Sequence, residues 1–126
     1  MRYLLDTHTL LWFLFDDKQL SKQVIEVIER EDKLYLSIAS LWEIAIKQSI
    51  GKLNINKTIL QIEEQCNAFN IDIISIKPIH CEKIKELDRI HNDPFDRILI
   101  SQALIEDMTL LTKDGNIVKY NVKTLW

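Results

Sequence analysis

The sequence predicts an α/β fold of three layers, α/β/α, with helices on both sides of a central, mainly parallel sheet of four to five strands. Three observations carry this expectation. Short apolar runs recur at Tyr3-Leu4-Leu5, Leu34-Tyr35-Leu36, residues 71–76 and Leu110-Leu111-Thr112. Two helical stretches separate each run from the next, and a β-α-α repeat of this kind gives parallel strands joined by helical crossovers. Only two glycines and two prolines occur in 126 residues, which leaves little chain for long loops. The length suits one compact domain, residues 1–126, and 47% hydrophobic residues are enough to fill its core.

Each element has a local reason. Residues 2–6 read as a strand and 7–15 as a helix broken by Asp16-Asp17. Ser21 suits the N-cap of a helix reaching about residue 31, with Val24, Ile25 and Ile28 as its apolar stripe. A second strand, 34–36, ends at Ser37. Residues 38–50 form an amphipathic helix with Ile38, Leu41, Trp42, Ala45, Ile46 and Ser49 at i, i+3, i+4, i+7 spacing, closed by Gly51. A helix over 58–69 leads to a strand over 71–76, whose nearly unbroken apolar run fits burial on both faces. Pro78 opens a helix to about residue 91, Asn92-Asp93-Pro94 breaks it, and a new helix runs from Pro94 to about residue 108. A fourth strand covers 110–112, and 121–126 suits a short last strand.

Composition excludes several classes. There is no G-x-G-x-x-G and no Walker-type loop, so a phosphate-cradling nucleotide fold is not expected. A net charge of −3 argues against a protein that grips nucleic acid by charge alone. It argues less against a metal-dependent nuclease, where cations offset the acids and face the phosphate. Cys66 and Cys81 lack metal-ligand spacing and read as reduced, idle thiols. With no signal peptide and no apolar stretch near the ~20 residues of a membrane span, a cytoplasmic location and no membrane partner are expected.

Four acids stand where chemistry collects in such folds. Asp6 closes the first strand as a helix begins, although an N-cap is its ordinary role. Glu43 follows Ser40 with the form of a capping box and could pair with Lys47 at i, i+4. The stripe already starts at Ile38, however, so Ser37 is the better cap and Glu43 falls in the second turn. With Asp93 as N-cap and Pro94 at the first helical position, Asp96 is at the third, favoured there by the helix dipole. Leu99, Ile100 and Ala103 lie below it, so it tops the buried face, where a carboxylate needs a partner and no Lys or Arg is offered. Asp114 follows the fourth strand and precedes Gly115, a turn position. Asp93 is mainly a cap, with a secondary reading as a supplementary ligand.

If the first and fourth strands are neighbours, Asp6 and Asp114 share one edge and Asp96 reaches them by a bent connection. Gathered carboxylates repel, and divalent cations relieve the repulsion. Oxygen-only ligation favours Mg²⁺ or Mn²⁺ over Zn²⁺. His8, His80 and His91 show no ligand spacing. His8 reads as a helix-surface residue near Asp6, Trp12 and Trp42 as core residues, and Trp126 as a side chain docking the last strand.

The chain resembles the PIN-domain family, in particular the VapC-like toxin ribonucleases of type II toxin–antitoxin systems. The matching segments are Leu5-Asp6-Thr7-His8 with Leu10-Leu11-Trp12, SIASLWEI at 37–44, Gly51-Lys52-Leu53, HNDPFDRILISQA at 91–103 and LTKD at 111–114. They span essentially the whole chain. Asp-Thr-His alone is weak, whereas D-P-F-D-R followed by Leu-Ile-x-Gln-Ala is specific. The resemblance implies that Asp6, Glu43, Asp96 and Asp114 form the family's acidic quartet around Mg²⁺ or Mn²⁺, with Glu43 acting directly or through water. It also implies that Thr7, Ser40 and Thr112 are its small hydroxyl neighbours and Arg97 its basic residue. It further implies a homodimer, a cognate antitoxin whose C-terminal segment blocks the pocket, and an RNA substrate.

On this basis Arg97, Lys47 and Lys52 are candidate phosphate contacts, and hydrolysis would leave a 5′-phosphate and a 3′-hydroxyl. Two rival readings stand beside it. A phosphoacceptor signalling domain would want an acidic pair after the first strand, where a single Asp stands. A non-catalytic PIN-like RNA- or protein-binding module would keep the fold and dimer and bind without cutting, and the intact quartet argues against it.

Overall fold

The computed structural model describes residues 1–30 and 33–126. Its elements follow in the order β1 (Arg2–Leu5), α1 (Thr7–Leu14), α2 (Lys22–Glu29), β2 (Lys33–Ser37), α3 (Ile38–Ser49), α4 (Ile59–Ala68) and β3 (Ile71–Ile74). Then come α5 (Pro78–Ile84), α6 (Pro94–Glu106), β4 (Thr109–Leu111), a 3₁₀ turn (Ile117–Lys119) and β5 (Thr124–Leu125). The five strands form one sheet in the order β3-β2-β1-β4-β5. Every pairing is parallel.

β1 lies in the middle and is buried on both sides. Tyr3 and Leu5 pack with Leu34, Leu36 and Leu111 against the helices α1 to α4. Leu4 and Leu110 point the other way, into Leu99, Ile100 and Ala103 of α6, with Ile117 and Tyr120. The period-two alternation of strand side chains thus divides the apolar residues into two cores, one per sheet face.

This strand order creates a crevice. The chain leaves β1 toward β2 and β3 on one side, whereas β4 and β5 lie on the other. The connections after β1 and β4 therefore diverge at the carboxyl ends of the strands, the topological switch point of an open parallel sheet. Leu5 is in register with Leu111, which sets Asp6 beside Thr112 at that edge.

Local signals explain most boundaries. Ser21, Ser37 and Thr58 cap their helices through the side-chain oxygen, Thr58 in a full capping box with Gln61. Gly51 follows α3 with φ +74°, a left-handed position that glycine adopts without strain. α2 ends at Glu29 with Arg30 as its C-cap, and the expected end near residue 31 lies outside the described residues.

Four expectations need correction. β3 is an edge strand, so it stops at Ile74 and leaves Asp72 exposed and Ile73 and Ile74 half-buried, where burial on both faces was expected. α5 ends at Ile84, well before residue 91, and tight turns at Lys85, Glu86 and Leu87 follow it. α3 is turned relative to its apolar stripe: Ala39, Ser40, Leu41, Glu43 and Ile44 face inward, while Ile38 and Ile46 are exposed. Trp42, expected in the core, is 60% exposed and meets Phe95 edge-on, with ring centroids 5.3 Å apart. The helix carries apolar residues on more than one face, and periodicity alone did not choose which one meets the sheet.

Candidate metal centre

Asp6 is delivered by the end of β1 and capped into place. Its Oδ1 accepts the Thr9 N–H at 2.8 Å, and its Oδ2 accepts the Thr112 hydroxyl. The Asp6 N–H itself donates to Leu111 O at 3.2 Å, which ties it to β4. The residue is 5% exposed. Burial pushes its pKa up, opposed by the hydrogen bonds from Thr112 and Thr9 and by the nearby His8.

The Thr112 oxygen also accepts the Asp114 N–H at 3.1 Å, so one hydroxyl links the acids that follow β1 and β4. Asp114 keeps its turn role, accepting the Asn116 N–H at 2.7 Å through Oδ1. Both acids line an open cleft of about 310 Å³ with His8, Trp12, Gln19 and Lys113.

Glu43 enters from the inner face of α3 and is 5% exposed. The Thr7 hydroxyl lies 2.6 Å from Glu43 Oε1 and 3.0 Å from Ser40 Oγ. Lys47 Nζ donates to Glu43 Oε2 at 2.8 Å. Thr7 and Ser40, expected as hydroxyl neighbours of the acids, thus hold Glu43, and Lys47 neutralises it. The cap of α3 is Ser37, so Ser40 is free for this role.

The third group sits at the start of α6. Asp93 is the N-cap and accepts the N–H groups of Phe95 (2.8 Å) and Asp96 (3.2 Å). Asp96 carries a bond that the sequence did not reveal, between its Oδ2 and His91 Nε2 at 2.9 Å. One ligand atom from each of His91, Asp93 and Asp96 lies within 4.8 Å of the others. Burial raises the pKa of Asp96 to about 6, reinforced by Asp93, opposed by the His91 bond, and raised further by Asp114 and Glu43. Asp96, Asp114 and Glu43 are therefore electrostatically coupled, with Asp6 joined to Asp114 through Thr112 and the cleft they share. Asp114 lies on the cleft beside Asp6, and it also repels Asp96.

Arg97, expected to meet phosphate, is turned away from the cleft. Its Nη1 donates to Asp88 O (2.9 Å), Tyr120 Oη (3.0 Å) and His91 O (3.3 Å), and its Nη2 to Ile84 O (3.2 Å). Five donors on a rigid fork suit such a carbonyl cluster. Lys52 is exposed in the turn that ends α3. Lys113 was not singled out from the sequence, yet it lines the cleft with its Nζ 5.7 Å from the Trp12 ring centroid.

These residues fit a divalent cation. The donor set is carboxylate oxygen with one imidazole at its edge, and both Asp6 and Asp96 are strained toward the protonated form by burial. Among the described residues, no lysine or arginine pairs with Asp6, Asp96 or Asp114. Buried charges of this kind are normally paired or metal-bound.

A parallel α/β domain with acids converging at its switch point belongs to a class of fold in which strand ends carry the chemistry. More specifically, residues 3–123 match the PIN domain family, and the chain belongs to it. No curated protein sequence matches the chain. Among solved structures, it is similar to the Rickettsia felis VapBC2 complex bound to a DNA fragment from its promoter. That match has a TM-score of 0.72 at 17% identity, covering 99% of this chain and 98% of that one. It is also similar to VapBC-1 from nontypeable Haemophilus influenzae, with a TM-score of 0.68 at 19% identity over 99% and 97% of the two chains. FitAcB from Neisseria gonorrhoeae gives 0.66 at 16% identity over 98% and 96%. At these identities the likeness concerns the fold. No helix among the described residues is long and apolar enough to cross a membrane.

Proposed function

We propose that this protein is a metal-dependent endoribonuclease and the toxin of a toxin–antitoxin pair. The observation that carries the reading is that Asp6 and Asp114 line one cleft, that Asp114 and Glu43 act on the buried Asp96, and that among the described residues no lysine or arginine pairs with Asp6, Asp96 or Asp114. Asp6, Asp96 and Asp114 would hold Mg²⁺ or Mn²⁺, with Glu43 acting directly or through water and Asp93 as a supplementary ligand. When bound, the cation supplies charge that offsets the phosphodiester and Lewis acidity that lowers the pKa of water.

The chain's own residues do the rest. Thr9 and Thr112 each hold one oxygen of Asp6, which lines the cleft. Thr7, Ser40 and Lys47 fix Glu43. Lys113, exposed at the cleft, is better placed to meet a phosphate than Arg97. Trp12 and His8, with ring centroids 5.6 Å apart, give the cleft an aromatic wall on which a base could stack.

The comparison proteins are VapBC and FitAB-type complexes, which supports an antitoxin as partner. The exposed apolar edge of α3, at Ile38, Trp42, Ile46 and Ile50, supports pairing with a second copy as a homodimer. A cytoplasmic site of action goes with this reading.

The test is cleavage of end-labelled single-stranded and structured RNA with Mn²⁺, Mg²⁺ or a chelator. Metal-dependent products bearing a 5′-phosphate and a 3′-hydroxyl are expected. Cleavage that survives chelation, or a 2′,3′-cyclic phosphate product, would refute the hydrolytic scheme.

A further inference from the structure

Asp96 differs from Asp6 in what holds it. No strand delivers it and no threonine grips it. Among the described residues, the single side-chain bond to its carboxylate comes from His91. His91 in turn lies outside any helix or strand, in the segment between α5 and α6, where nothing regular fixes its backbone.

Two side chains from elsewhere do fix it. The Tyr120 hydroxyl accepts the His91 N–H at 3.0 Å and faces the His91 carbonyl at 3.3 Å. Arg97 Nη1 donates to the same carbonyl, to the Tyr120 oxygen and to Asp88 O, and Nη2 holds Ile84 O. Tyr120 is 6% exposed and packed in the core beneath α6, so its hydroxyl is a rigid anchor. Arg97 is the residue after Asp96, on the first turns of α6. The segment 84–91 is therefore fastened to the helix whose acid it serves.

We propose that Tyr120 and Arg97 are positioning residues of the metal centre: they pin His91 from both sides of its backbone, and the pinned imidazole aims the Asp96 carboxylate at the cation. The arrangement matches a general requirement of metal sites, that partners behind a ligand orient it. The inference rests on the metal-dependent reading above and assigns Arg97 a task other than meeting phosphate.

Mn²⁺ binding to the full chain, measured by titration calorimetry, tests it apart from activity. Tyr120→Phe removes one hydroxyl and keeps the ring in the core. His91→Ala removes the imidazole, and His91→Gln restores an N–H donor of similar reach. The first two variants should bind Mn²⁺ about ten- to a hundredfold more weakly than the wild type, with part of the loss recovered in His91→Gln. Thermal melting of the metal-free proteins reports separately how far the clamp merely stabilises the segment. Unchanged Mn²⁺ affinity in both Tyr120→Phe and His91→Ala, with wild-type binding intact, would overturn the positioning role alone. Wild-type protein that binds no Mn²⁺ would overturn the metal-dependent reading and this one with it.

Discussion

Asp6 and Asp96 are both buried enough to resist ionisation, yet they are held in opposite ways. Asp6 is fixed by regular structure: β1 delivers it, it caps the first turn of α1 through the Thr9 N–H, and Thr112 of the neighbouring connection grips it. Its hydrogen bonds favour the charged form and offset part of the burial. Asp96 has one imidazole on its side and three acids against it. Burial raises the pKa of both, so the difference lies in positioning: two hydrogen bonds hold the Asp6 carboxylate, and one holds that of Asp96. If the two acids share a cation as proposed, Asp6 would keep the shape of the site and both would favour the positive charge.

The largest expected effect is on catalysis. Asp6→Asn and Asp96→Asn should each lower RNA cleavage by at least about a hundredfold, the scale of losing one electrostatic contact to a transition state, with circular dichroism unchanged. Full activity in Asp96→Asn protein would refute its assignment.

Next in size is metal-linked stability. Mn²⁺ at a hundred times its Kd should stabilise the folded state by about 2.7 kcal/mol, seen as a rise in melting temperature. Both variants should lose most of that rise.

The comparison becomes sharper in metal-free protein, where the two substitutions should diverge. The folded-state pKa of Asp96 is about 6, raised from an ordinary 3.8. Its contribution to stability is therefore fully present below pH 3.8 and lost as pH rises through about 6. At pH 7, Asp96→Asn should raise the stability of the metal-free protein by about 1–2 kcal/mol, allowing for screening at a partly exposed side chain. Near pH 4 the gain should shrink toward zero. Asp6→Asn should show little gain, because the amide oxygen keeps the cap to Thr9 but an NH₂ donor replaces the acceptor that meets the Thr112 hydroxyl. Equal gains from both would erase the distinction between them.

The smallest effect concerns the link itself. Thr112→Val removes a hydroxyl that donates to Asp6 and accepts from Asp114, and should cost about 1 kcal/mol in denaturant unfolding.

The fold was largely legible in the sequence, because its signals were local. Apolar runs between capped helices marked the strands, and Asp6 and Asp114 could be placed at one edge once β1 and β4 were taken as neighbours. What was not legible depended on tertiary choice. The rotation of α3 is an example, since its several apolar faces left Trp42 free to fall outside the core. β3 looked like a central strand because Ile71, Ile73 and Ile74 are apolar, and only the sheet order made it an edge. In the sequence His91 lacks ligand spacing, and its bond to Asp96 was hidden because it lies five residues earlier across a helix break, a spacing that matches neither helical nor strand period. Arg97 looked like a phosphate contact from its place beside Asp96, but the carbonyls that claim it belong to a segment expected to be helix.

The most direct measurement is a crystal soaked in Mn²⁺ with the ion located by anomalous scattering. The expected result is a peak at carboxylate-ligand distance from Asp6, Asp96 and Asp114, with Glu43 reaching it directly or through one water. Density with no such peak at saturating Mn²⁺, or a peak only at acids elsewhere on the surface, would contradict the account.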